Sequence, residues 1–243
     1  MTQWYSEDLT YIHDQGFRDY ALKSAPGIIA ILESCQITTG LIVELGCGSG
    51  LLAHELHQLG YQILGIDISE AMIAIAKTRV PTAQFRVESL FCTEIPPCRA
   101  VISLGECLNY LFDEEADIAL NGLFERIYHA LSPGGVFIFD VVIPGQIPPN
   151  ETRKSFTEGE DWLVLVEKYE DIEQEILTRR IITLRQTGEL YRRTEEIHRQ
   201  RLFNAAKLSE TLSQIGFQVE VMNRYGNFSL PPARVAFVAR KLG

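Results

Sequence analysis

The run Glu44-Leu45-Gly46-Cys47-Gly48-Ser49-Gly50 carries the densest chemical signal in the chain. Its three glycines let the backbone turn tightly and approach a ligand with no Cβ in the way. A dinucleotide fingerprint requires G-x-G-x-x-G ahead of a helix that holds the pyrophosphate. The spacing here is G-x-G-x-G, and Leu51 stands where the third glycine of that pattern falls. Glu44, just before the first glycine, would repel a pyrophosphate and suits a ligand with a positively charged amino group. Asp67 ends the next apolar run, where a carboxylate can accept from both hydroxyls of a ribose. Amine, ribose and an approachable glycine turn together describe an amino-acid nucleoside better than a dinucleotide.

Other candidates lie further along. Leu104-Gly105-Glu106-Cys107-Leu108-Asn109-Tyr110 follows a later apolar run. Within it Glu106 fits a catalytic carboxylate and a solvated loop residue equally. His198 alternates with Ile197, where a hydrogen-bonded structural histidine competes with a catalytic one. Phe17, Tyr20 and Tyr110 fit packing, although aromatic faces near an open sheet end would also attract an onium centre. Cys47 reads as a small filler of the turn rather than a nucleophile. The cysteines (Cys35, Cys47, Cys92, Cys98, Cys107) form an odd set with no C-x-x-C pair. Free thiols in a reducing compartment are expected, with no disulfide or zinc framework.

The elements that must position these residues follow an alternating grammar. Leu41–Leu45, Ile63–Ile68, Gln84–Glu88, Ala100–Leu104 and Val136–Ile143 read as strands. Between them come a helix from Leu51 to Gly60, one capped by Ser69 and stopped before Pro81, and one from about Asp113 to Leu131. Pro133-Gly134-Gly135 closes that last helix. Alternation of this kind implies right-handed crossovers and a parallel sheet covered on both faces. A first helix, roughly Asp19 to Cys35, must pack outside this unit or over one end. After Ile143 the pattern changes: Trp162–Tyr169, Ile176–Arg185 and Tyr191–Leu202 read as an antiparallel meander turning at Thr187-Gly188. A helix from Ala205 to Ile215 with Gly216 as its C′ residue precedes two strands, Phe217–Met222 and Arg234–Lys241, that can pair.

Composition narrows the classes. A formal net charge of −10 over 243 residues argues against nucleic acid as partner. Arg179, Arg180, Arg185, Arg192 and Arg193 read as the wet face of a strand. No run approaches a membrane span and the first ten residues show no signal-peptide pattern, so the expected address is the cytoplasm, away from any membrane.

Three segments, Val43–Ala53, Gly65–Lys77 and Leu131–Asp140, resemble the sequential motifs of class I S-adenosylmethionine-dependent methyltransferases. The resemblance covers about the first 145 residues. It implies a doubly wound α/β fold, with a seven-stranded, mostly parallel sheet whose last strand is antiparallel, and S-adenosyl-L-methionine as cofactor. Carried over, Gly46, Cys47 and Gly48 would line the methionine part, Gly50 would also belong to the cofactor site, and Glu44 would reach the amino group through water. Asp67 would hold the ribose, with Ile68 and Met72 sandwiching the adenine and Ser89 and Leu90 beside its amino group. Leu104 and Gly105 would face the sulfonium, with Glu106 and His198 as candidate catalytic groups and Phe17 and Tyr20 near the open end. Neither the prolines of DNA amino-methyltransferases nor the carboxylate pattern of metal-dependent catechol-type enzymes is present, so no metal is expected.

Residues 1–143 and 203–243 are therefore expected to form the cofactor domain. Residues 144–202 are an antiparallel β insert that covers an acceptor site or forms a subunit interface, as in a homodimer. The expected function is methylation of a small-molecule N or O acceptor. A non-catalytic binder of the same cofactor is the alternative, with a nicotinamide oxidoreductase behind it.

Overall fold

The computed structural model describes residues 5–111 and 116–243. Two helices, α1 (Glu7–Gly16) and α2 (Asp19–Ser34), precede the alternating unit of β1 (Leu41–Leu45), α3 (Leu51–Gln58), β2 (Gln62–Asp67), α4 (Glu70–Arg79) and β3 (Gln84–Val87). It continues through β4 (Cys98–Ser103), a single 3₁₀ turn (Cys107–Asn109), α5 (Ala116–Ala130) and β5 (Leu131–Val142). The expected start of α5 near Asp113, with its acidic first turn, lies outside the described residues. Local chemistry sets several boundaries. Ser69 Oγ accepts from the Met72 N–H at 3.3 Å to cap α4, and that helix ends just before Pro81. Pro133-Gly134-Gly135, expected to close the helix before it, is instead absorbed into β5 as an irregularity between the pairs Cys98–Leu131 and Ala100–Val136.

After β5 come β6 (Thr152–Glu158), β7 (Trp162–Asp171), β8 (Ile176–Thr187), β9 (Leu190–Arg201), α6 (Ala205–Ile215) and β10 (Phe217–Met222). The chain finishes with a two-residue pair, β11 (Arg224–Tyr225) and β12 (Phe228–Ser229), and then β13 (Arg234–Lys241). The main sheet has the order β10-β13-β5-β4-β1-β2-β3. Strands β1 to β5 run parallel, and β13 lies antiparallel to both β5 and β10. The period of two along each strand divides the core between the faces. Ile42 points to a cluster with Leu32, Leu52 and Leu56, and Val43 to one with Phe124, Phe139 and Leu212.

The insert is a separate four-stranded antiparallel sheet, β6-β7-β8-β9. Its polar first strand, β6, has every residue exposed and therefore shows no apolar alternation in the sequence. Helix α1 was likewise absent from the sequence reading. It packs Leu9 and Ile12 against Trp162, Val164 and Ile181. Gly16 and Gly159 flank the Trp162 ring so closely that a Cβ at either would overlap it. Three polar ties hold α1 down: Asp8 to Arg192 on β9 at 2.6 Å, Asp14 to Arg79 on α4 at 2.8 Å, and Glu196 to the Ser6 N–H at 2.9 Å. The helix over the open end of the sheet is thus α1. The expected first helix, α2, packs on the flank, where Gly27 allows the backbone of Tyr225 to approach. Among the described residues no helix is long and apolar enough to cross a membrane.

Candidate active site

The parallel strands end together beneath a cavity of about 410 Å³, within the range of small-ligand sites. Its floor is the set of loops leaving β1, β2 and β4. Gly46 and Cys47 both donate to the Ile66 carbonyl, at 2.7 and 3.0 Å, which ties the glycine turn to β2. A side chain at Gly46, whose φ is +73°, would run into the Cys107 sulfur. Asp67 Oδ2 accepts from the Gly48 N–H at 2.8 Å and Oδ1 from the Ser69 N–H at 2.9 Å. Each oxygen keeps a further lone pair, so two more donors can be met. Burial raises the Asp67 carboxyl above its ordinary value, against the pull of these backbone donors.

Glu44 is the sharpest feature of the floor. It is only 3% exposed, and its buried Oε2 has no hydrogen-bond partner. Burial, then the neighbouring Asp67 charge, pushes its carboxyl up to about 8. A carboxyl in that state gains most from a cation brought to it.

Of the expected residues, Glu44, Gly46, Cys47, Gly48, Asp67, Ile68, Met72 and Leu90 line this cavity. Leu104, Gly105, Glu106, Phe17 and Tyr20 line it as well. Three do not. Gly50 turns the chain into α3 at φ +74°, with its Cα side pressed on Ala76, so its part is structural. The Ser89 hydroxyl accepts from its own loop, from the Phe91 N–H at 3.3 Å. His198 is wholly buried behind Tyr5 and Tyr110, with Nε2 bonded to Glu196 at 2.8 Å. It is therefore a structural link to the carboxylate that holds the start of α1, away from the cavity wall.

Glu106 does face the cavity, yet both oxygens are engaged. Oε1 is paired with Arg179 and Oε2 with Arg234. Its backbone is pinned too, since the Gly105 and Glu106 N–H groups donate to Asp140 at 3.0 and 2.8 Å. Burial raises that aspartate to about 7. Glu106 thus fixes two guanidiniums at the cavity edge instead of standing open to a substrate proton.

The roof holds residues that the sequence reading missed. Tyr5, Leu9 and His13 line the cavity from α1 and the chain just before it, beside the expected Phe17. Leu9, His13 and Phe17 are spaced four apart, which puts them on one side of a helix, a signal present in the sequence. Burial lowers the His13 imidazolium below its ordinary value, against the opposing Asp14 charge, and leaves the ring neutral at pH 7. Val164, Val166 and Lys168 face inward from β7, with Arg179 and Ile181 from β8. Arg179 therefore belongs to the inner face with Ile181, while Arg180 turns outward to Glu167 and Glu195. The reading of the arginines as one wet face fails at this position. All five cysteines are free.

Residues 42–135 match the sequence pattern of a methyltransferase domain family. YqeM of Bacillus subtilis, named as a methyltransferase with no acceptor specified, is 27% identical over 77% of this chain and 77% of its own length. A solved S-adenosylmethionine-dependent methyltransferase from Clostridium acetobutylicum superposes with a TM-score of 0.81 at 19% identity, covering 96% of this chain and 97% of that one. The sugar N-methyltransferase KedS8 from a Streptoalloteichus species gives 0.77 at 19% identity, covering 100% and 98%. At that identity the two structures speak for the fold, the insert included, and the domain match and the relative speak for the family. The domain match, the relative and the shared fold together support a class I S-adenosylmethionine-dependent methyltransferase family for this chain.

Proposed function

We propose that the enzyme methylates a small molecule held between the sheet floor and the roof of α1 and the insert. The observation that carries this reading is the partnerless buried Oε2 of Glu44 at the edge of a cavity closed above by protein. The residues fit the cofactor. Glu44 meets the ammonium of the methionine part, and Asp67 has acceptor capacity left for two ribose hydroxyls. The Gly46–Gly48 turn gives close approach, and Ile68, Met72 and Leu90 offer apolar walls to a base. When bound, S-adenosylmethionine supplies a methyl group activated by its sulfonium.

The protein's task is then to hold an acceptor in line with that methyl and to exclude water. The aromatic and aliphatic wall of Tyr5, Leu9, Phe17, Val164 and Val166 serves both ends. A neutral amine needs no base; a hydroxyl must lose a proton, and the neutral His13 ring in the wall is placed to receive it. End-to-end likeness to a sugar N-methyltransferase supports an acceptor of small-molecule size for this architecture.

The test is methyl transfer from labelled S-adenosylmethionine to a panel of small hydroxyl and amine compounds. Turnover should appear on the panel, and His13→Gln should lower it by about 10²–10⁴ for hydroxyl acceptors only. Transfer to proteins or nucleic acids with none to small molecules would refute the reading.

A further inference from the structure

The roof contains an arrangement that a neutral acceptor does not explain. Lys168 on β7 and Arg179 on β8 are directly paired in the ladder, so their side chains emerge together on the cavity face. Arg153 on β6 occupies the same row on the other side of Lys168. Like charges placed opposite each other across strands oppose folding of the sheet. A carboxylate between them would relieve this, but the nearby Glu106 is shared by Arg179 and Arg234. Among the described residues Lys168 has no carboxylate partner. Arg179 Nε and Arg234 Nε are likewise buried without an acceptor. The acceptor half of the cavity therefore holds three cationic side chains around Glu106, with Asp140 beneath the floor.

We propose that the acceptor carries an anionic group, a carboxylate or a phosphate, seated between Lys168 and Arg179. This rests on the reading of the cavity as a small-molecule methyl-transfer site and names the class of molecule it takes. The anion supplies the missing partner for the cation row, and the guanidiniums fixed by Glu106 present rigid donors to it. Burial, then the charges of Arg179 and Arg153, lowers the Lys168 ammonium to about 8. An anion bound beside it therefore keeps it protonated and draws up a proton near that pH.

Calorimetry on the full chain tests the proposal in two stages. S-adenosylhomocysteine is titrated into wild type and Lys168→Met, and then malonate or inorganic phosphate into each cofactor-loaded protein. The expected result is equal nucleoside affinity in both proteins. At least one of the anions should bind wild type and bind Lys168→Met at least about tenfold more weakly. Malonate binding more tightly than phosphate assigns a carboxylate, and the reverse order a phosphate. Absence of anion binding, or equal binding in the variant, overturns the proposal. So does a tenfold loss of nucleoside affinity in Lys168→Met, which would give the cation to the cofactor's own carboxylate. Failure of the nucleoside to bind wild type would instead remove the cofactor-site reading beneath it, so the two failures are told apart.

Discussion

The floor and the roof of this cavity are built by different rules. The floor is a set of short loops at the carboxyl ends of strands buried on both faces, with its polar groups fixed by backbone donors such as Gly48, Ser69, Gly105 and Glu106. The roof is a ten-residue helix laid on one side of a sheet whose other side exposes Phe156, Leu165 and Ile197. Its own core is a handful of residues around Trp162, and ion pairs that reach to α4 and β9 complete the attachment. Few buried contacts mean a lower cost of local opening. The difference suggests a division of labour in which the floor is preformed for a cofactor and the roof opens to admit and release an acceptor.

Trp162→Ala should separate the floor from the roof most strongly. Removing a buried tryptophan costs about 3–5 kcal/mol, and here the loss falls on the contact between α1 and the insert. Hydrogen exchange should show α1 deprotected and β1 unchanged, with turnover lost and nucleoside binding retained. Equal deprotection of β1 would mean that floor and roof are one cooperative unit. A smaller effect, confined to the floor, is expected of Asp67→Ala. It should cost about 1.5–3 kcal/mol of S-adenosylhomocysteine affinity, the range for hydrogen bonds to a charged group. The fold should be intact by circular dichroism, and unchanged affinity would take Asp67 out of the site. The smallest effect sharpens the roof: Arg180→Met should leave turnover and melting temperature unmoved, because its pairs with Glu167 and Glu195 are exposed and screened. Arg179→Met, one residue away on the inner face, should raise the acceptor KM.

The same division explains what the sequence disclosed. The glycine turn, Asp67, the Ser69 cap and the strand ends at Leu104 and Gly105 obey local rules, and a parallel sheet fixes where such residues point. Strand pairing of Phe217–Met222 with Arg234–Lys241 was likewise legible from alternation and the intervening turn. The roof depends on contacts far apart in the chain. Whether Arg179 or Arg180 faces inward is decided by which side of β8 packs on α1, and α1 itself hides in a largely polar run, EDLTYIHDQG. His198 looked like a candidate base because a buried histidine on a strand gives no local sign that Glu196 will take its Nε2. Glu106 looked available because Arg179 and Arg234, its partners, are distant in sequence.

On the proposed reading, Glu44 waits uncharged for the ammonium of an amino-acid nucleoside. Its carboxyl, ordinarily near 4.5, sits at about 8 in the ligand-free protein, so it is mostly protonated at pH 7. Before ligand binds, this group adds stability that is full below about 4.5 and lost as pH rises through about 8. Binding an ammonium beside it must expel the proton. Calorimetry of S-adenosylhomocysteine binding at pH 7, repeated in buffers of different ionisation enthalpy, reads that proton directly. Release of about one proton per ligand is expected in wild type and none in Glu44→Gln, whose affinity also falls. Binding with no proton release in wild type, or the same release in Glu44→Gln, would contradict it.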